Sequence, residues 1–468
     1  SIITYRHSSS HPLATFPGPK AAATTKWWMV HRILLKGGRH SKIQDLHTEY
    51  GPWVRVGPNE LSINLPAAIR PIYNLSRASF YEGIPAPADS LITVVNRKVH
   101  ARRRQAWNKA VTSDAMRSYI PILETRTSQL LSIFQQFSDQ KKVVNLDHWT
   151  KLFFMDVMGD MGFSGGFETM AAGKDGEEWI KTASLSIPYL SMGQVPWLRN
   201  LFKYLPRNGP IESFQKFTRA KVDEIQKNSK VQRKDILGII MNESPVSLTA
   251  DEAAADASLI VVAATDTGVQ TVTTLFRYLS VDPERTRRLQ KEISFAFVGD
   301  NGEYDYQVLF TLPYLDACIQ ESLRIIPPGP FEGPPRTTGP EGAYILGKWI
   351  APNTTVHVPV YTMHRDPAHF GPLVDHFVPE RWIESENQKN PLLSPCNYDA
   401  FMPFSSGYGS CVGKHLALQN IKILVSSIFH KFDIEPQSGF DPIQFDQSYK
   451  EYGLWTHDAL ELIFKLRK

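Results

Sequence analysis

Apolar residues recur at spacings of three and four over 120–137, 149–161, 211–227, 251–279 and 282–297, the rhythm of helices that bury one face. Residues 50–65 follow a different rhythm. Val54 and Val56 flank Arg55, a Gly-Pro pair intervenes, and Leu61 and Ile63 resume, which predicts two short strands around a turn. Strand-like runs rich in Pro and Gly return over 330–365. After a Pro-rich meander, a last helix is expected over about 412–432, with hairpin-like segments closing the chain. No repeat of fixed period is present, which argues against solenoids and propellers. The pattern predicts a mainly α fold with a minor β region. Both ends of the chain feed that sheet, so one large domain is expected over 21–468, after a leader and Pro-rich hinge at 1–20.

Composition narrows the function classes. The 468 residues are 42% hydrophobic and 21% charged, enough apolar content for a substantial core. A net charge of +4 is too slight for a nucleic-acid partner to be expected. Three cysteines rule out a disulfide-dense scaffold and fit a reducing compartment. No run approaches the roughly 18 consecutive apolar residues of a membrane span; the longest candidates lie around 27–35 and 259–264. The chain opens on Ser1, and Pro17, Gly18 and Pro19 form a stiff hinge after a polar leader. A membrane anchor removed upstream is therefore expected.

The chemistry concentrates in residues 401–416, FMPFSSGYGSCVGKHL. Cys411 stands at the mouth of a helix whose apolar face runs Leu416, Ile421, Leu424 and Ile428. Free N–H groups and the positive helix end there favour thiolate over thiol. Gly407, Gly409 and Gly413 let the main chain approach a flat cofactor, and Phe404 can pack on its face. A thiolate in open backbone is the ligand type that holds haem iron. The plain alternative is a structural cysteine in a Gly-rich turn. Cys318, at helical spacing from Tyr314 and Leu315, and Cys396, in a Pro/Asn loop, fit that plain reading better. No second Cys or His stands at zinc spacing near Cys411.

Phe-x-x-Gly-x-x-x-Cys-x-Gly ahead of a helix resembles the haem-binding loop of the cytochrome P450 monooxygenases. Three further motifs stand in the family's order. Glu321 and Arg324 lie one helical turn apart in ESLRIIPP and share a face; the resemblance adds Arg381, from PERW, as third member of a buried cluster bracing the cysteine loop. Glu284 and Arg287 match the same spacing in a more charged helix and read as a solvated pair. Asp266 and Thr267 interrupt an apolar helix, LIVVAATDTGVQTVTTL. On residues alone, Thr267 bonds back one turn and Asp266 is exposed. The resemblance instead makes them an acid–alcohol pair for oxygen activation, where the helix loosens. Ala264 stands where the family often has Gly, and Gly268 where it often has a second hydroxyl residue. His100 and Arg104, four apart, resemble a pair gripping a haem propionate, and Arg336 a second propionate ligand. Arg102 and Arg103 read as a solvated face. Gly409 departs from the family, which commonly carries Arg or His there, so one propionate contact must come from elsewhere.

The resemblance, strongest to fungal microsomal-type members, spans nearly the whole chain. It implies haem b (iron protoporphyrin IX) held by Cys411. NADPH serves only indirectly, through a flavoprotein NADPH-cytochrome P450 reductase that docks on Arg102, Arg103, Lys109, Lys414 and Lys422. It further implies a monomer on the endoplasmic reticulum membrane, facing the cytosol, that hydroxylates or otherwise oxidises a hydrophobic small molecule in fungal secondary metabolism. Substrate contacts are expected from 80–91, 187–202, 328–331, Val262, Ala263, Leu454 and Trp455, with Phe80 and Phe331 among them. Two alternatives stay open: oxidative coupling of an aromatic natural product without oxygen insertion, and a non-catalytic haem sensor.

Overall fold

The computed structural model describes residues 1–84, 88–165, 167–174, 193–198, 210–227, 234–245, 248–298, 303–329 and 333–467. Its axis is a helix of 30 residues, Ala250–Leu279, hereafter the central helix. Thr249 and Glu252 start it with a capping box that satisfies two otherwise orphaned N–H groups. The central helix is long and apolar enough to cross a membrane, yet most of its apolar window is buried among other helices. It packs against Leu146–Phe163, Pro210–Lys227, Pro313–Ile325 and Lys414–Lys431. Leu146–Phe163 buries residues on every side, among them Phe153, Phe154, Val157 and Met161, as a helix apolar all round must. These elements share one large core with Phe276, Cys318, Leu424 and Phe429.

The minor sheet is assembled as expected from both ends of the chain. Trp53–Gly57 pairs antiparallel with Glu60–Ile63, and Thr355–His357 lies parallel to the latter. Arg336–Thr337 and then Ser76–Arg77 complete the five strands. A second sheet joins Phe432–Pro436, Glu461–Leu466 and Val144–Asn145, tying the C-terminus to the helical body.

Two helix boundaries differ from the periodic reading. The helix expected from 120 begins at Ser113, capped by Thr112, and carries Pro121 inside it. Pro removes one backbone bond and normally breaks a helix, but buried Tyr119, Leu123 and Leu130 hold this one to the core. The helix expected to reach 297 ends at Ile293, and Phe297–Val298 pairs with Glu303–Tyr304 instead.

Candidate haem-thiolate site

The loop before Lys414–Lys431 closes on itself where the Cys411 N–H donates to the Phe404 carbonyl at 2.9 Å. Gly407 has φ +67, and a Cβ there would lie 2.4 Å from the Tyr73 carbonyl oxygen, so only glycine fits. Gly413, the N-cap of the helix, is the opposite case: a Cβ there would meet no atom within 4 Å. The Cys411 side chain is exposed, whereas Cys318 is fully buried in the core and Cys396 is intermediate. The residue as a whole is exposed, yet enough protein surrounds its thiol for burial to act on it.

The expected thiolate bias does not survive. Burial raises the Cys411 thiol above its ordinary value; the Gly413 N–H, Arg104 and Lys414 oppose that shift without overcoming it. A coordinated metal ion deprotonates a thiol outright, so ligation needs no depressed pKa beforehand.

Beside the loop lies a cluster of cations. Arg336 is fully buried and Arg77 is 5% exposed, and the two face each other across antiparallel strands. Arg77 donates to the Leu91 and Val94 carbonyls, each at 2.8 Å, and to His100 Nε2 at 3.1 Å. A guanidinium only donates, so His100 Nε2 is an acceptor and the ring is neutral. Accordingly, burial and then Arg77, Arg104 and Arg336 lower the His100 pKa to about 3. Arg104 donates to the Ser410 carbonyl at 2.6 Å, which fixes it to the cysteine loop. Among the described residues, no carboxylate pairs with Arg77, Arg104 or Arg336, and the Nε atoms of Arg77 and Arg336 are buried without a partner.

The Glu321 carboxylate accepts from Arg324 Nη2 at 2.8 Å and Nε at 2.9 Å, from Arg381 Nε at 3.1 Å and from Trp382 Nε1 at 2.8 Å. It also takes the Val378 N–H at 2.9 Å. Burial alone would raise this carboxyl, but Arg324 and Arg381 hold it below the usual range. Arg324 and Arg381 spend their remaining donors on carbonyls of Val374, Phe370 and Leu373. The carboxylate thus pins the chain that runs toward the cysteine loop. Arg287, by contrast, is exposed and bonds the Pro283 carbonyl at 3.0 Å, with no ion pair to Glu284.

The central helix runs unbroken through Asp266 and Thr267, with no loosened turn. Thr267 Oγ1 donates to the Ala263 carbonyl at 2.7 Å, the plain back-bond. Asp266 is intermediate in exposure, not exposed, and burial raises its carboxyl pKa while Lys151 opposes the shift. Val262 is 38% exposed and Ala263 is exposed, although the helix around them is largely buried. A Cβ on Gly268 would lie 2.8 Å from the Phe154 ring, which occupies the space a second hydroxyl residue would need.

Several other expectations change. Arg103 is not solvated. It is buried, with Nη2 2.7 Å from Asp256 Oδ2, because this turn of Arg97–Ala110 faces the core. Lys422 is also buried, 2.6 Å from Asp316, so neither residue is free to dock a partner. Trp455 packs against His40, Tyr361 and Tyr449 and donates to the Pro327 carbonyl at 2.8 Å, which places it in the core. Leu454 beside it is intermediate. Phe80 lines a cavity of ≈ 340 Å³ with Trp27, Gly193 and Trp197. Phe331 and most of 187–202 lie outside the described residues.

Comparison with known proteins gives the family. The cytochrome P450 sequence family matches residues 19–458, and the chain belongs to that family. It is 33% identical to Cytochrome P450 monooxygenase FCK2 of Fusarium pseudograminearum, over 93% of this chain and 78% of the relative. It is 30% identical to Cytochrome P450 67 of Uromyces fabae, over 97% of this chain and 86% of the relative. Identity to the Tryprostatin B 6-hydroxylase of Aspergillus fumigatus is 30%, over 98% of this chain and 81% of the relative. The protein is therefore an oxidoreductase of the haem-thiolate class that oxidises a small molecule, and the sensor alternative falls away.

The residues present fit a haem. An exposed cysteine, a glycine facing open space, and buried arginines without an acid among the described residues are the donor set that an iron porphyrin with two carboxylates requires.

Proposed function

We propose that Cys411 holds the iron of haem b and that this chain hydroxylates a neutral, hydrophobic, aromatic small molecule in fungal secondary metabolism. The carrying observation is the exposed Cys411 at the helix start, with open space at Gly413 and, beside it, an arginine cluster without an acid among the described residues. When bound, the haem supplies thiolate-supported activation of dioxygen. Arg104 and Arg336 hold its propionates, His100 steadies the neighbouring guanidinium, and Phe404 and Gly407 shape the loop around the ligand. Val262 and Ala263 offer apolar surface to the substrate. Asp266, whose carboxyl pKa is raised by burial, passes protons inward, and Thr267 delivers them once its hydroxyl turns away from the Ala263 carbonyl it now bonds. A relative named for 6-hydroxylation of tryprostatin B supports hydroxylation as the reaction.

Electrons come from NADPH through a cytochrome P450 reductase docking on Arg102, Lys109 and Lys414, all exposed. The proposal includes a monomer anchored on the endoplasmic reticulum membrane. Exposed Trp27, Leu34, Leu35 and Trp197 support contact with that surface.

The test is the absorption spectrum of the reduced, carbon-monoxide-bound protein. Thiolate ligation is expected for the wild type, Cys318→Ser and Cys396→Ser, and its loss for Cys411→Ser. An imidazole-type spectrum, or a thiolate spectrum surviving Cys411→Ser, overturns the reading. With labelled dioxygen, hydroxylation carries label into the product; an unlabelled product assigns oxidative coupling instead.

A further inference from the structure

Gly409 leaves the cysteine loop without the basic side chain that commonly stands two residues before the cysteine in the proteins it resembles. The structure fills that space with guanidinium groups from the sheet. A Cβ on Gly409 would lie 2.6 Å from Arg336 Nη2 and 3.7 Å from Arg77 Nη2. Arg77 and Arg336 are register partners across an antiparallel pair, the arrangement in which like charges repel most directly. Both are buried, each has an Nε without a partner, and no acid among the described residues neutralises either one. Such a pair is stable in a protein interior only when an anion completes it.

We propose that Arg77 is the anion-holding residue that replaces the missing side chain at 409, and that it binds a carboxylate of the porphyrin together with Arg336. The assignment rests on the reading of Cys411 as the haem ligand. His100 acts through Arg77: its neutral Nε2 accepts from Arg77 Nη2 at 3.1 Å and sets the direction of the fork. Nothing in the local sequence LSRASF marks Arg77 for this task. The strand register does, because it puts residue 77 opposite residue 336.

A purely structural role is the competing account, since Arg77 also braces the Leu91 and Val94 carbonyls. Two substitutions separate the roles. Arg77→Lys keeps the positive charge and weakens the forked bracing; Arg77→Gln keeps an amide donor and removes the charge. The measurement is the rate at which haem leaves the purified full-length protein for an excess of a haem-scavenging apoprotein, with thermal stability followed in parallel. Arg77→Gln is expected to lose haem about tenfold faster or more, the loss of one charge-assisted contact. Arg77→Lys is expected to stay within a few-fold of wild type. Equal rates for the two single variants, or faster loss from Arg77→Lys, overturn the proposal and leave Arg77 as a brace. The carbon-monoxide spectrum keeps the two readings apart. A wild type without thiolate ligation refutes the haem site itself, whereas normal ligation with unchanged haem loss refutes only the role of Arg77.

Discussion

Asp256 Oδ1 accepts the Leu91 N–H at 2.7 Å, so one carboxylate on the central helix holds the loop that precedes Arg97–Ala110. The same side chain accepts from Trp107 Nε1 at 3.3 Å and lies 2.7 Å from Arg103 Nη2. Arg103 in turn donates to the Asp89 carbonyl at 2.8 Å. Two elements near the cysteine loop are thereby joined to the central helix through a single buried ion pair.

Removing Asp256 leaves buried Arg103 with only the partly exposed Glu252, 3.7 Å away, as a counter-charge, and removing Arg103 leaves Asp256 with none among the described residues. Asp256→Ala is expected to lower folding stability by about 3–5 kcal/mol, the usual effect of orphaning a buried charge. Adding Arg103→Leu should recover much of that loss, because apolar replacement of both partners is often close to neutral. A double-mutant cycle by chemical unfolding reads the coupling directly. Additive effects would mean that the two side chains do not interact.

Glu321 is the more demanding case because two buried guanidiniums depend on it. Glu321→Ala is expected to cost at least the same 3–5 kcal/mol and to prevent accumulation of folded haem protein. Arg287→Ala, at the lookalike motif, should change stability by less than about 0.5 kcal/mol, since Arg287 is exposed. The comparison is made by soluble yield and thermal unfolding. Equal tolerance of both substitutions would remove the distinction between the two motifs.

Local pattern made the helices, the paired strands at 53–63 and the cysteine loop legible, since each depends on neighbours in sequence. Partners distant in sequence were not. Which arginine of the Arg102–Arg103–Arg104 run turns inward depends on Asp256, and Lys422 is withdrawn from the surface by Asp316. Arg77 has no local signature at all; only strand pairing sets it against Arg336. The Cys411 thiol shows the same limit, because the helix-start argument omits the burial that overrides it. The start of the helix at Ser113 was hidden by Pro121, a local breaker outweighed by tertiary packing.

Several buried histidines make stability depend on pH: His40, His47, His100 and His364 all have pKa values lowered to about 3 or 4. Burial lowers the His47 pKa to about 4. Burial and then Arg324 lower that of His364 to about 3. The unfolded chain binds protons on these rings below their ordinary value near 6.5, while the folded chain does not. Stability is therefore full above about pH 6.5 and is lost as pH falls toward the folded values. Each histidine contributes a slope of up to about 1.4 kcal/mol per pH unit. His364→Gln can keep an acceptor for the Met402 N–H that His364 Nε2 now takes at 3.0 Å, and it should flatten the acid limb by one histidine's share. Unfolding free energies from pH 7.5 to 5 check this. A curve flat through that range would show that these rings titrate normally in the folded protein, and an unchanged slope in His364→Gln that this ring does.

The proposed proton route predicts a split between electron use and product. Thr267 Oγ1 bonds only its own helix, to the Ala263 carbonyl, so Thr267→Ala should leave folding stability within about 1 kcal/mol. Product formation should fall by about 10²-fold while NADPH oxidation continues and peroxide is released. Thr267→Ser should retain much of the coupling. Parallel loss of NADPH use and product in Thr267→Ala would point instead to a defect in haem or reductase binding.

Gly268 tests how rigidly the central helix is held beside that pair. A Cβ there would lie 2.8 Å from two ring atoms of Phe154, a residue 2% exposed and enclosed by its neighbours. Such a ring has no room to retreat in a closely packed interior. Gly268→Ala gains helix propensity worth about 1 kcal/mol, yet it should be destabilising overall, because overpacking costs about 1–3 kcal/mol. Gly268→Ser adds an oxygen to the same clash and should be worse. Phe154→Leu alone opens space and lowers stability, but combined with Gly268→Ala it should be less harmful than the two single effects added together. Thermal and chemical unfolding of the four proteins reads the coupling. Were Gly268→Ala as stable as wild type, the Phe154 ring would have to yield freely, and the glycine would reflect something other than this contact.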